Sequence, residues 1–189
     1  MEHALLTSTL TVALAEIGDK TQLLSLILAA RYRRPVPIIL GVLVATLVNH
    51  GCAGAVGAWL GALLTPSVLR WALAASFIVM GLWILVPDKL DEGEASVKKS
   101  RFGVFGATVI TFFIAEMGDK TQLATIALAA RFHEVVAVVI GTTLGMMLAN
   151  VPAILLGERF AHRLPVKVVH GIAALMFVVM GVLAFFSVH

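Results

Sequence analysis

The chain has 189 residues, of which 60% are hydrophobic and 13% charged, with a mean hydropathy of +1.00. A soluble globular domain is about half apolar and about a quarter charged, so this composition excludes one and points to a polytopic membrane protein. The formal net charge of +3 comes with no soluble basic domain, which argues against a nucleic-acid partner.

Six apolar stretches are each long enough to span the ~30 Å of hydrocarbon in a bilayer. They are placed at 4–30, 36–61, 68–87, 102–130, 135–157 and 167–187. All six are expected to be helices, because lipid cannot satisfy exposed backbone groups and the alternating pattern of a barrel strand is missing. The N-terminus carries Glu2 in place of a basic leader and the first apolar stretch is a full span, so no cleavable signal peptide is expected. The one cysteine, Cys52, allows neither an intrachain disulfide nor a cysteine zinc site, and reads as a small buried apolar residue.

Near the middle of the first span lies E-I-G-D-K-T-Q, from Glu16 to Gln22. The fourth span carries E-M-G-D-K-T-Q, from Glu116 to Gln122. The repeat runs further: Ala15–Arg31 matches Ala115–Arg131 at twelve of seventeen positions. Gly41 aligns with Gly141, Gly57 with Gly157, and Met80-Gly81 with Met180-Gly181, all at the same offset of 100. The chain therefore divides into a three-helix repeat (1–87), a charged linker (88–101) and a second three-helix repeat (102–189). Three is an odd number, so the second unit enters the membrane from the opposite side. The expected architecture is an all-α integral membrane protein of six transmembrane helices arranged as two inverted repeats.

Lysine and arginine counts set the orientation. One face would hold Arg31, Arg33, Arg34, Lys89, Lys98, Lys99, Arg101, Arg159, Arg163 and Lys167, and the other only Arg70 and Arg131. This places both termini on the non-cytoplasmic side. The linker reads as a solvated connector. Its acids Asp88, Asp91, Glu92 and Glu94 lack the spacing of a calcium loop. The glycines of the second and fifth spans read as close-packing positions.

The chemistry is concentrated in the heptapeptides. On a continuous helix Glu16, Asp19 and Lys20 share one side, with Gln22 a turn beyond, and Glu116, Asp119, Lys120 and Gln122 repeat the pattern. Thr11 and Thr111 border this polar sector, while Ser25 and Thr125 fall on the opposite side. Gly18 and Gly118 could loosen the helix and free a carbonyl, as in broken transporter helices, though the sequence does not establish a break. Four carboxylates and two ammonium groups sum to −2, which one divalent cation or two protons would neutralise. An uncompensated charge at a span's centre costs about 2.5–3.5 kcal/mol on the lenient insertion scale. Carboxylate and amide oxygens suit Mn²⁺, Ca²⁺ or Mg²⁺. Asn49 and His50 in the second span, and Asn150 in the fifth, could complete a coordination shell or simply make interhelical hydrogen bonds. A nitrogen from His50 would favour a transition metal over Ca²⁺. A structural reading competes for the heptapeptides too: two intrahelical Glu–Lys pairs that pin the helices.

At these residues the sequence resembles the Ca²⁺/Mn²⁺:cation exchanger family, which includes bacterial MneA-type manganese exporters and Golgi manganese/calcium transporters of eukaryotes, within the lysine-exporter superfamily. The resemblance rests on E-x-G-D-K-T occurring once in each half and covers nearly the whole chain. It implies export of Mn²⁺, and also Ca²⁺, from the cytoplasm in exchange for protons or another cation. The family's functional acids fall on Glu16, Asp19, Glu116 and Asp119, its motif lysines on Lys20 and Lys120, and its threonines on Thr21 and Thr121. The chain lacks the extended N-terminus and longer central loop of many eukaryotic members, which favours a bacterial inner membrane.

The resulting expectation is a Mn²⁺ exporter using alternating access. Glu16, Asp19, Glu116 and Asp119 bind the metal, Gln22 and Gln122 add amide ligands, and Lys20 and Lys120 balance charge when the site lacks metal. The partners are the transported ion and the lipid bilayer. No prosthetic group is expected, and the glycine-rich faces could pair protomers into a homo-oligomer. The alternatives are a Ca²⁺/H⁺ antiporter or an organic-cation transporter. An enzyme is not supported: there is no H-E-x-x-H and no paired nucleophile and base.

Overall fold

The computed structural model describes residues 1–86, 103–157 and 165–187. The linker 88–101, with its acids and Lys89, Lys98, Lys99 and Arg101, lies outside the described residues, as do Arg159 and Arg163. The described residues form eight helices and no strands. They are α1 (Glu2–Glu16), α2 (Lys20–Tyr32), α3 (Pro35–Leu63), α4 (Pro66–Ile84), α5 (Gly103–Glu116), α6 (Lys120–Phe132), α7 (Val135–Leu156) and α8 (Val166–Ser187).

Four of the expected spans are single helices within a few residues of the expected bounds. The first and fourth are not. Each is two short helices, α1–α2 and α5–α6, separated by three residues inside the heptapeptide. Among the described residues only α3, α4, α7 and α8 are individually long and apolar enough to cross a membrane. The 15 residues of α1 cover roughly 22 Å at 1.5 Å per residue, too little for a bilayer core.

The boundaries have local causes. Pro35 and Pro66 occupy the first turns of α3 and α4, where a missing N–H costs nothing. Arg33 and His133 end α2 and α6 in the left-handed conformation, at φ 52° and 54°. Their N–H groups return to the carbonyls of Ala29 and Ala129.

The two halves interleave. α1 packs chiefly along α7, and α5 packs against α3, so each broken pair lies against the first long helix of the other half. α4 packs against α8, and their contacts step in opposite directions: Trp71 with Phe185, then Phe77 with Phe177, then Gly81 with Ala174. The contacts are also reciprocal at the 100-residue offset. A Cβ on Gly81 would sit 3.0 Å from the Ala174 carbonyl, and one on Gly181 would sit 3.1 Å from the Ala74 carbonyl. Two apolar clusters result. One joins Phe77 and Met80 to Leu128, Phe177 and Met180; the other joins Val12, Leu24 and Leu28 to Val42, Phe112 and Met146. Large apolar side chains such as Trp59, Leu82, Leu148 and Leu175 point outward, the arrangement a lipid-facing surface requires. Cys52 corrects the expectation of burial: it is exposed on α3, where a small apolar side chain can face hydrocarbon as readily as protein.

Candidate metal site

The heptapeptide encodes a helix interruption. Glu16 is the last residue of α1, and Ile17 leaves helical geometry at ψ 115°. Gly18 takes φ +84°, a conformation that a side chain resists. Asp19 then adopts extended geometry (φ −79°, ψ 168°) and caps α2, accepting a hydrogen bond from the Lys20 N–H at 2.8 Å. Gln22 folds back so that its Oε1 accepts the Gly18 N–H at 2.9 Å. The second copy repeats the backbone path without the aspartate's side-chain cap: Gly118 has φ +76°, Asp119 has φ −78° and ψ 164°, and the Gly118 N–H donates to Gln122 Oε1 at 2.7 Å. The expected single polar face of a continuous helix is therefore corrected. Glu16 and Lys20 belong to different helices, and the positive N-terminal ends of α2 and α6 begin beside the acids.

Tertiary packing then brings acids from both halves together. One carboxylate oxygen each from Glu16, Glu116 and Asp119 lie within 4.8 Å of one another, and all three residues are buried. Two oxygens at opposite sides of one cation, each ~2.4 Å from it, would be ~4.8 Å apart, so the spacing suits a single ion. Thr21 Oγ1 donates to Glu16 Oε2 at 2.7 Å, and Thr121 Oγ1 lies 3.3 Å from Glu116 Oε2 and 3.4 Å from Asp119 Oδ2. The other oxygen of each glutamate, Oε1, is buried and has no hydrogen-bond partner among the described residues. Unpaired buried carboxylate oxygens are costly, and a cation would satisfy them.

Asp19 stands outside this triad and faces Lys120, whose Nζ is 3.7 Å from its Oδ1. Lys20 Nζ lies 3.5 Å from Asp119 Oδ1. Both ion pairs cross between halves and tie one heptapeptide to the other. The glutamines clip the breaks to the opposite half: Gln22 Nε2 donates to the Ala149 carbonyl at 3.0 Å, and Gln122 Nε2 donates to Asn49 Oδ1. Their amide oxygens are held by the glycine N–H groups.

The secondary candidates separate. His50 is fully buried, with Nε2 3.7 Å from Glu116 Oε2. Asn150 instead accepts from Ser25 Oγ at 2.7 Å and donates to the Met146 carbonyl at 3.0 Å. Ser25, on α2 beyond the break, reaches Asn150 of α7. Thr11 contacts Met180 Sδ at 3.9 Å, while Thr111 and Thr125 bond to the carbonyls of Ala107 and Thr121 in their own helices.

One residue at the site has no motif to mark it in the sequence. His170 Nε2 lies 2.7 Å from the Ile17 carbonyl freed by the first break, and Val166 covers Gly18. Its only sequence signal is a histidine in an apolar span, aligned with Arg70. The second break has no such cover among the described residues: none of them lies within 4 Å of a Cβ built on Gly118, and Met117 is 60% exposed.

Comparison with known proteins identifies the family. A family described as divalent cation/proton antiporter GDT1 matches residues 4–92 and 104–188. A Vibrio cholerae protein named as a candidate manganese exporter is 51% identical over 175 residues, 92% of this chain and 86% of that protein. A GDT1-like protein of Synechocystis is 32% identical over 199 residues, 94% of both chains, and GDT1-like protein 3 of rice is 25% identical over 207 residues, 97% of this chain and 74% of that protein. No solved structure matches. The chain is a multi-pass membrane transporter of divalent cations, and it belongs to the GDT1 family.

Proposed function

We propose that this protein exports Mn²⁺ from the cytoplasm in exchange for protons, by alternating access at the site formed by Glu16, Glu116 and Asp119. The observation that carries the reading is that triad, with three buried carboxylates from two halves converging within 4.8 Å. Such a cluster is stable only with positive charge among its oxygens, and Mn²⁺ or protons supply it in turn. Asp19, paired with Lys120, completes the net charge of −2 at the site and would enter the shell when that lysine withdraws. The ligand spacing leaves no room for an organic cation between the oxygens. Manganese is the substrate in the name of the Vibrio cholerae relative, and proton exchange is in the family's description.

In this reading α1–α2 and α5–α6 are each one interrupted span, which makes six spans in two inverted repeats, 1–87 and 102–189, joined by the linker 88–101. Both termini lie on the non-cytoplasmic side of a bacterial inner membrane. Among the described residues the breaks differ in cover, with Val166 and His170 over Gly18 and none over Gly118. Two inverted repeats that exchange these environments expose the triad to one face and then the other. Protonation of Glu16 and Glu116 from the outer face displaces Mn²⁺, and deprotonation on the inner face restores the site.

Flux into proteoliposomes holding a divalent-sensitive dye tests this. Mn²⁺ entry that rises with an outward-directed proton gradient and disappears in Glu116→Gln is expected. Entry indifferent to the gradient would make the protein a uniporter, and no Mn²⁺ entry would remove the reading. Ca²⁺ remains the second substrate, since the triad is all oxygen.

A further inference from the structure

We infer that His50 donates an imidazole nitrogen to the transported ion and is the residue that sets transition-metal selectivity; this rests on the triad being the transport site. His50 is wholly buried, and neither Nδ1 nor Nε2 has a hydrogen-bond partner among the described residues. A buried imidazole with both nitrogens unbonded is disfavoured, so its environment calls for a partner that protein atoms do not provide.

The direction of the ring identifies that partner. Nε2 lies 3.7 Å from Glu116 Oε2, too long for a hydrogen bond. Two donor atoms held roughly 2.1 Å from one ion lie ~3.0–3.6 Å apart when they subtend about 90–120° at it. The observed separation is therefore close to that of neighbouring ligands on a shared ion. Glu116 is itself one of the three clustered acids, and its Oε1 also lacks a partner.

The other half shows the alternative fate of the same position. Asn150, offset by 100 residues, is satisfied by Ser25 and the Met146 carbonyl. Thr125, the counterpart of Ser25, turns to the Thr121 carbonyl of its own helix and leaves His50 unengaged. The halves have diverged, so that one copy makes an interhelical bond and the other presents nitrogen to the acids. Ca²⁺ takes oxygen ligands, whereas imidazole is a ligand of transition metals. One nitrogen among carboxylates thus favours Mn²⁺ over Ca²⁺ and Mg²⁺.

Two measurements test this on the purified, reconstituted protein. In the first, Mn²⁺ alone is added to the wild type and pulsed electron paramagnetic resonance is recorded. Coupling to ¹⁴N is expected, replaced by ¹⁵N coupling when histidine is isotopically labelled. The second compares Mn²⁺ and Ca²⁺ affinity in His50→Asn, the residue found at the other half's position. Mn²⁺ affinity should fall at least about tenfold with Ca²⁺ affinity nearly unchanged. Bound and transported Mn²⁺ without nitrogen coupling, or equal changes for both ions, would overturn the role of His50 while leaving the triad intact. Failure of the wild type to bind Mn²⁺ at all would overturn both the inference and the transport reading beneath it.

Discussion

Lys120 lies 3.7 Å from Asp19, and Lys20 lies 3.5 Å from Asp119, so each heptapeptide's lysine faces the aspartate of the other. The two pairs share a pattern but not an environment. The Lys120 side chain is 3% exposed and that of Lys20 is 17% exposed. Breaking a buried pair from one side strands a charge and costs about 3–5 kcal/mol, while a pair nearer water is worth less. Lys120→Met should therefore lower thermal stability in detergent more than Lys20→Met. The double variant Lys120→Met with Asp19→Asn should recover much of the stability without recovering Mn²⁺ flux. Equal losses from the two lysines would show that their environments do not differ as described.

The breaks should respond unequally to a methyl group. Gly18 and Gly118 both have positive φ, so alanine at either costs about 1–2 kcal/mol from backbone strain. At Gly18 the added Cβ also collides with Val166, whereas no described residue lies within 4 Å at Gly118. Gly18→Ala should reduce folded yield and melting temperature more than Gly118→Ala. The additional Val166→Ala change should narrow the gap, and thermal melts of the four proteins decide it.

Carboxylates gathered for a cation repel one another without it. Glu116→Gln should raise the melting temperature of chelator-treated protein, because it removes a buried charge from a site built for function. Mn²⁺ should raise the melting temperature of the wild type, by about 2.7 kcal/mol of stabilisation at a hundred times the dissociation constant, and leave Glu116→Gln nearly unaffected. A variant that loses stability in chelator and still responds to Mn²⁺ would place the ion elsewhere.

Close helix approach should make some glycines irreplaceable and others silent. A Cβ at Gly57 would run into the Ile126 carbonyl of α6, and one at Gly145 would sit 2.6 Å from the Thr9 carbonyl of α1. Gly51, in the same helix as Gly57, has no described residue within 4 Å. Gly57→Ala and Gly145→Ala should destabilise, with the backbone forced apart at rigid contacts, while Gly51→Ala should be neutral or stabilising because it lowers helix entropy cost by up to about 1 kcal/mol. Unfolding of the three variants in the same detergent compares them directly.

Local composition was enough to identify a helical membrane protein from its apolar runs, four of which are long single helices, and the 100-residue offset made the sequence repeat visible. Glu16 and Glu116 stood out because charge inside such runs is expensive. The breaks were within reach, since glycine before a capping aspartate is a stop and a start, but long-window hydropathy averages across three residues and treats α1–α2 as one span. The partners of the polar groups came from tertiary packing alone. Lys120 faces Asp19 of the other half, and Gln22 engages Gly18 and Ala149 with its amide. Position 50 or 150 becomes a ligand candidate or a hydrogen-bonded asparagine according to what Ser25 or Thr125 reaches. These outcomes turn on the interruptions at Gly18 and Gly118 and on which helix of the other half faces each break. The partner of a buried polar group is thus supplied by segments up to a hundred or more residues distant, where no local pattern can register it.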